Sequence, residues 1–438
     1  MRKRNNNLMI VFIMICFSGF FLTCKSGNNE KFGPPNEICS GVNIHFTSGH
    51  EKDLDMIAAA GLKFIRMDFV WQNIERTKGN YDWSAYDELT SNLKKRGLRA
   101  LYILDYSNSL YEKMVDSKDP ITGEVQKGIA APFHPESVEA FSRWAAAAAT
   151  RYKGYGIIWE IWNEPNITFW RPAPDVDQYL TLAFATCRAV RSADPDAVII
   201  GPATSQVPLP FIESFLASGI MQYIDAVSVH PYRDYSKSPE TAIEDYTGVR
   251  ELIKRYTTEG KSKIPVISSE WGYASTTKGI SITTQASFIV RMQLANLFNG
   301  IPLSIWYDWK NDGKEPGNFE HNCGTVTFDL EPKPAYVAVK TMNDELRDFT
   351  LFKRIKPVSG NDFILVFRNS EGIYKISAWT MDQHHSVILE EDIPEVTRST
   401  ARDWQGNSIQ IKTENKKLLL ELDEMAKYIT LPAGTILN

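Results

Sequence analysis

From residue 39 onward the apolar positions alternate between two patterns. Short runs rich in β-branched and aromatic residues read as strands at 40–46, 63–68, 98–104, 156–162, 197–201, 226–230, 265–270 and 303–307. Longer stretches with helical periodicity fall between and after them, at 51–60, 84–96, 135–152, 176–193, 210–217, 241–256, 283–298 and 334–349. Eight strand–helix pairs in alternation predict an α/β protein, a (β/α)8 TIM barrel over residues 39–349. A doubly wound sheet gives the same alternation. However, no G-x-G-x-x-G and no G-x-x-x-x-G-K-[ST] follows any strand, so the nucleotide-binding folds lose their main support.

After residue 349 the rhythm becomes alternating apolar and polar, at 362–368, 373–381, 416–422 and 428–431, with turn pairs Gly360-Asn361 and Gly406-Asn407. This predicts a small C-terminal antiparallel β-sandwich over 350–438. It shows no obvious cluster of solvent-facing aromatics and reads as a packing module.

The N-terminus reads as a targeting segment. Arg2, Lys3 and Arg4 precede an apolar run at 8–22, shorter than the 18 or more residues of a spanning helix. No A-x-A-like cleavage site follows, but Phe21-Leu22-Thr23-Cys24 resembles a lipobox, in which Cys24 becomes the lipidated first residue. Residues 1–24 are therefore expected to be a lipoprotein-type signal peptide and 25–38 a flexible tether. The alternative is an uncleaved short anchor. Either way the body is expected to be exported and held at a bacterial membrane.

Composition narrows the chemistry. The balance of 48 Lys+Arg against 53 Asp+Glu gives −5 and no cationic field to hold a polyanion, so nucleic acid is not an expected partner. Cys39, Cys187 and Cys323 make no disulfide framework in the body, and their spacing excludes the usual zinc arrangements. No cofactor and no metal site is expected. Eleven Trp and eighteen Tyr supply rigid amphipathic rings that serve either the core or a sugar's apolar face.

In a β/α barrel the reactive groups ring the C-terminal ends of the strands. The fourth predicted strand ends in Asn163-Glu164-Pro165-Asn166, and the seventh in Glu270-Trp271-Gly272. Two carboxyl groups thus emerge on one face. Such a pair is the minimal machinery of glycoside hydrolysis, one protonating the leaving oxygen and the other attacking the anomeric carbon or activating water. Each is otherwise a surface loop acid.

The stretch Ile158-Trp159-Glu160-Ile161-Trp162-Asn163-Glu164-Pro165-Asn166, with Ser269-Glu270-Trp271-Gly272, resembles the clan A glycoside hydrolases. The likeness is to glycoside hydrolase family 39, the β-xylosidase and α-L-iduronidase group, with family 5 the nearest competitor. The segment 66–82, with Trp71, Glu75 and Gly79, adds to it. The resemblance implies a retaining mechanism with Glu164 as general acid/base and Glu270 as nucleophile.

It further implies that Asn163 meets the sugar 2-hydroxyl and that Arg66 keeps Glu270 ionised. Tyr232 is implied as a hydrogen-bond donor to Glu270, and His230 as a partner of the sugar or of Glu164. Trp306, or Trp309 in its place, is implied as the aromatic platform. His45, closing the first strand, is a candidate glycone ligand, and Phe169, Trp170 and Tyr106 are candidate outer-subsite platforms. The loops 105–134 and 310–333 are long enough to wall the cleft and favour chain-end cleavage. The expected substrate is an oligosaccharide or polysaccharide fragment carrying a β-D or stereochemically equivalent α-L bond, with xylose first. A non-catalytic sugar-binding barrel and a family 5-like endo-glycanase stand as alternatives. A Schiff-base or phosphate-site enzyme lacks its strand-end Lys or phosphate loop.

Overall fold

The computed structural model describes residues 31–118, 123–257, 264–356 and 359–437. Eight parallel strands close into a barrel: β1 (Ser40–Asn43), β2 (Phe64–Val70), β3 (Arg99–Asp105), β4 (Ile158–Ile161), β5 (Val198–Ser205), β6 (Ala226–His230), β7 (Val266–Trp271) and β8 (Ser304–Trp306). Each pairs with its sequence neighbours, and β8 closes on β1 with Val42 opposite Trp306. The flanking helices are α1 (Glu51–Ala59), α2 (Ser84–Lys95), α3 (Pro135–Arg151), α4 (Val176–Ala193), α5 (Leu209–Ala217), α6 (Ala242–Tyr256), α7 (Ile282–Phe298) and α8 (Pro334–Glu345).

Helix α4 shows why these segments are helical. Asp175 caps it by accepting from Asp177 N and Gln178 N, and Tyr179, Leu182, Ala183, Thr186, Cys187 and Val190 recur on its buried face. Inside the barrel, alternate strand residues such as Phe64, Leu101, Ile103, Ile158, Ile200, Ile267 and Ile305 fill the N-terminal half. That packed floor leaves only the C-terminal mouth open for chemistry.

Three expectations change. The tether expected over 25–38 does not extend through residues 31–38. Phe32 is fully buried in the floor of the barrel, Lys31 Nζ pairs with Asp225 at 2.8 Å, and Leu351 N donates to Asn36 O at 2.7 Å. A polar, Pro-rich stretch concealed one apolar anchor with a hole to fill. The signal segment with Cys24, and residues 25–30, lie outside the described residues. Second, the helix expected over 334–349 stops at Glu345, and a left-handed Asp348 (φ 64°) turns the chain into strand at Phe349. Third, the long loop after β3 carries a hairpin, Met114–Lys118 with Val125–Ile129, whose outward residues Met114 and Val125 are both 61% exposed. Its one fully buried side chain is the polar Ser117, whose Oγ donates to Pro172 O at 2.7 Å, so it left no apolar alternation to read.

The C-terminal region is two antiparallel sheets. Strands β9 (Phe349–Ile355), β10 (Asp362–Asn369), β11 (Tyr374–Thr380), β12 (His385–Ile388), β13 (Thr400–Arg402), β14 (Ser408–Ile409), β15 (Lys412–Glu414), β16 (Lys417–Leu422) and β17 (Lys427–Thr430) form a six-stranded sheet, β9-β10-β11-β17-β13-β14, and a three-stranded one, β12-β16-β15. Ile364, Val366 and Ile376 face Leu418, Leu420 and Leu422 between the sheets, while Phe363, Leu365, Phe367 and Trp379 join the core shared with the barrel. Burial on both faces explains why β10 reads as a continuous apolar run. Under that face Arg291 of α7 makes a two-point ion pair with Glu240 at 2.7 and 2.8 Å, and Trp379 Nε1 donates to the same carboxylate at 2.7 Å. Burial alone would raise the Glu240 pKa, but Arg291 holds it below the usual range.

Candidate active site

The barrel mouth is organised by one buried cation. Arg66, in β2 beside Asn43 of β1, is fully buried and spends every N–H it has. Its Nε donates to Glu160 Oε2 at 2.8 Å; Nη1 donates to Asn43 Oδ1 at 3.2 Å and to Glu270 Oε2; Nη2 donates to Asn163 Oδ1 at 2.9 Å and to His230 Nε2 at 3.3 Å. Arginine only donates, so His230 Nε2 must be the acceptor. The ring proton then sits on Nδ1, which donates to Glu164 Oε1 at 3.0 Å. One guanidinium therefore fixes a histidine tautomer as well as a carboxylate.

Glu270 also accepts from Tyr232 OH at 2.8 Å. Burial would push its carboxyl up; the adjacent Arg66, with the Tyr232 hydrogen bond, outweighs that and holds it below the usual range. Glu164 follows β4 in a kinked segment, with Trp162 at φ 67° and Glu164 at φ 49°. Left-handed non-glycine residues cost of order 1–3 kcal/mol each. The kink is held by Trp162 N to Leu104 O (3.1 Å) and Glu164 N to Ala203 O (2.9 Å), and it aims Asn163 and Glu164 into the mouth. Asn163 Nδ2 in turn donates to Tyr106 OH at 2.8 Å. An oxygen of Glu164, one of Glu270 and a nitrogen of His230 all lie within 4.8 Å of one another.

These residues line a cavity of about 370 Å³ with His45, Asp68, Phe169, Ser205, Gln206, Tyr307, Phe319 and Glu320. Of the sequence candidates, Asn163, Glu164, Glu270, Tyr232, His45, Tyr106 and Phe169 reach it, while Arg66 and His230 sit directly behind it. Three do not. Trp306 is fully buried with Nε1 donating to Cys323 O at 3.1 Å, Trp309 donates to Asp53 Oδ1 at 2.9 Å, and Trp170 packs between Trp162 and Tyr179. The expectation that they contact sugar is corrected: each ring is enclosed in the wall, and each indole N–H has a protein acceptor. Tyr307, the residue after Trp306, does reach the cavity, and its OH donates to Glu320 Oε2 at 2.6 Å. The reading of sequence also passed over Asn43, Asp68 and Glu160. Glu160, an acid between apolar neighbours in β4, was a legible sign of a buried ion pair.

His45 faces Asp312 at 3.2 Å and Asp308 at 3.9 Å. Burial would lower its pKa, but the Asp312 hydrogen bond and the charge of Asp308 raise it to about 9. The imidazolium is thus the counter-charge of this His and Asp cluster, whose ligand atoms also lie within 4.8 Å of one another. Because the folded value exceeds the unfolded one of about 6.5, the stabilisation is complete below about pH 6.5 and is lost as pH rises through about 9. The expected result is a melting temperature of the native protein that falls over that window relative to His45→Gln. Parallel melting curves across it would refute the pairing.

A second cavity, about 310 Å³, opens in the sandwich among Ile409, Leu418, Leu420 and Ile429. It has no carboxylate pair and lies apart from the barrel mouth.

Comparison with known proteins agrees with the barrel and the C-terminal sheets. Residues 29–313 match the model of the family described as Cellulase (glycosyl hydrolase family 5). A β-xylosidase of Geobacillus stearothermophilus is 31% identical over 22% of this chain and 23% of its own length, and one of Caldicellulosiruptor saccharolyticus is 25% identical over 42% and 40%. The chain thus spans well under half the length of those relatives. Among solved structures, a family 39 glycoside hydrolase from Bacteroides cellulosilyticus superposes with a TM-score of 0.77 at 25% identity, covering 92% of this chain and 82% of that one. A family 39 β-xylosidase from Caulobacter crescentus, at 17% identity and a TM-score of 0.64, shares the fold over 90% of this chain and 96% of its own. The chain belongs to the Cellulase (glycosyl hydrolase family 5) family, within glycoside hydrolase clan A, and has family 39 enzymes among its structural neighbours.

Proposed function

We propose that the protein is a retaining glycosidase that cleaves a β-D-glycosidic, or stereochemically equivalent α-L, bond by double displacement. The observation that carries this reading is the separation of the two carboxylates. Oxygens of Glu164 and Glu270 within 4.8 Å of each other suit a direct attack; an inverting pair stands about 6.5–9.5 Å apart to admit a water. Glu270, held as the anion by Arg66, attacks the anomeric carbon while Glu164 delivers its proton to the departing oxygen. The anomeric C–O bond breaks, an ester to Glu270 forms, and the aglycone leaves as the alcohol. Glu164, now ionised, takes a proton from water, whose oxygen attacks the same carbon and expels Glu270. Asn163, braced between Arg66 and Tyr106, is the donor assigned to the 2-hydroxyl.

The names of the curated relatives make a xyloside the first substrate to try, and a cavity of this size suits a short glycoside. Among aryl β-xyloside, β-glucoside, β-galactoside and α-L-arabinoside, at least one is expected to be turned over. Proton NMR of the first-formed sugar should show the substrate's own anomeric configuration. Inversion would exclude the mechanism.

We also propose that the protein is exported and anchored through a lipid on Cys24, on the strength of Arg2, Lys3, Arg4, the apolar run 8–22 and the lipobox-like Phe21-Leu22-Thr23-Cys24. Cys24→Ser is expected to abolish incorporation of labelled fatty acid in a bacterial host; undiminished labelling would refute the site.

A further inference from the structure

Behind the cleft lies a carboxyl group that the proposed mechanism leaves unused. Asp105 ends β3, is fully buried, and no donor among the described residues reaches either of its oxygens. The group its carboxyl meets is that of Asp68, on the neighbouring strand β2, and Asp68 lines the cleft. The nearest guanidinium cannot serve either one, because all five N–H groups of Arg66 are taken by Asn43, Glu160, Glu270, Asn163 and His230. Two facing carboxylates with no donor between them do not both stay ionised; one keeps a proton and donates it to the other. The buried partner is the one that keeps it, since charge costs most where water is excluded. Burial and the neighbouring Asp68 charge accordingly raise the Asp105 carboxyl well above the usual range.

The direction of the reaction gives this pair a use. On the double-displacement reading the leaving group departs past Glu164, on the side of the cleft that Phe169, Ser205 and Gln206 line. That reading puts the glycone on the other side, over β1, β2 and β8, where Asp68 stands near the His45 imidazolium. We propose that Asp68 accepts a hydrogen bond from a glycone hydroxyl, and that Asp105 is the positioning residue behind it, donating from a protonated carboxyl to hold Asp68 in place. This deepens the glycosidase reading and rests on it. With Asp68 and Glu320 as its acids and His45 already paired with Asp312, the subsite selects an uncharged glycone and rejects a hexuronate.

The test separates the proton from the packing. On the aryl glycoside that the wild type turns over, Asp68→Ala is expected to lose about tenfold or more in kcat/KM. The same substrate lacking the contacted ring hydroxyl should lose a similar factor with the wild type and little further with Asp68→Ala. Asp105→Leu should lose comparably to Asp68→Ala, and Asp105→Asn should recover most of that loss, because its amide donates the same hydrogen bond. An infrared difference between wild type and Asp105→Asn should show the C=O stretch of a protonated carboxyl, which needs no turnover. If every glycoside is inert, the glycosidase reading fails, and the proposed sugar contact with it, while the band still decides the pair. Equal loss in Asp105→Asn and Asp105→Leu, absence of the band, or faster cleavage of an aryl hexuronide than of the neutral glycoside would overturn the proposal.

Discussion

Glu270→Ala is expected to lose at least ~10⁴-fold in kcat on the best aryl glycoside, the scale set by removing a covalent nucleophile from an otherwise intact site. The neighbouring carboxylates Glu160 and Glu164 cannot take over its role. Glu160, the other carboxylate on Arg66, is fully buried within β4, and Glu164 stands on the leaving-group side. The lost side chain leaves a space beside Arg66 and Tyr232 that a small anion can enter. Added azide should therefore restore part of the turnover of an activated aryl glycoside. It attacks once, from the face that Glu270 vacated, so the glycosyl azide should carry the opposite anomeric configuration to the substrate. The variant should still fold, because Arg66 retains Glu160 as its counter-charge. Its stability should differ from wild type in one respect. The folded Glu270 carboxyl lies below its unfolded value of about 4.3, so the wild type has the full stabilisation above that pH and loses it as pH falls through the lower folded value. Glu270→Ala lacks that acid-sensitive component. Residual turnover within about tenfold of wild type, without azide, would remove Glu270 from the nucleophile role.

The parts of this molecule that were legible in the sequence are those where one chemical requirement acts locally. Strand β6 and helix α4 were read to the residue because period and boundary signals coincide there: Asp175 caps α4, and Ala226–His230 is a short β-branched run, interrupted only by Ser228, that ends at His230. Asn163 and His230 stand at the mouth end of an apolar strand and Arg66 is a charge inside the apolar run of β2, and the family resemblance made them a set. Their mutual arrangement was not legible, since it depends on three-dimensional saturation of one guanidinium by partners on β1, β4, β6 and β7. The tryptophans misled for a related reason. Trp306 and Tyr307 are adjacent at the end of β8, and only the path of the backbone decides which ring enters the wall and which the cleft. Phe32 was hidden because a single buried aromatic has no period. Asp68 and Asp105 were passed over because a carboxyl at a strand end looks the same in sequence whether it faces water or another carboxyl.

Glu164→Ala is expected to divide substrates by leaving group, and this is a sharper test of its role than any single rate. For an unactivated alcohol leaving group, as in an oligosaccharide, loss of the proton donor should lower kcat/KM by about 10²–10⁴-fold. For an aryl group whose phenolate leaves without help, the first step should proceed nearly as in the wild type. The second step has no such escape, because water still needs its proton removed whatever left before. The glycosyl ester on Glu270 should then accumulate, visible as a burst of phenol equivalent to the enzyme followed by slow turnover, and as a protein mass increased by one sugar. His230 sharpens the assignment: its Nδ1–H donates to Glu164 Oε1 while Arg66 fixes its other nitrogen as acceptor, so it cannot deliver a second proton without breaking that pair. It is not a substitute acid, and His230→Asn should not show the leaving-group split. A Glu164→Ala loss that is equal for activated and unactivated leaving groups, with no burst, would mean that Glu164 only binds, and the assignment of acid and base would have to move elsewhere in the mouth.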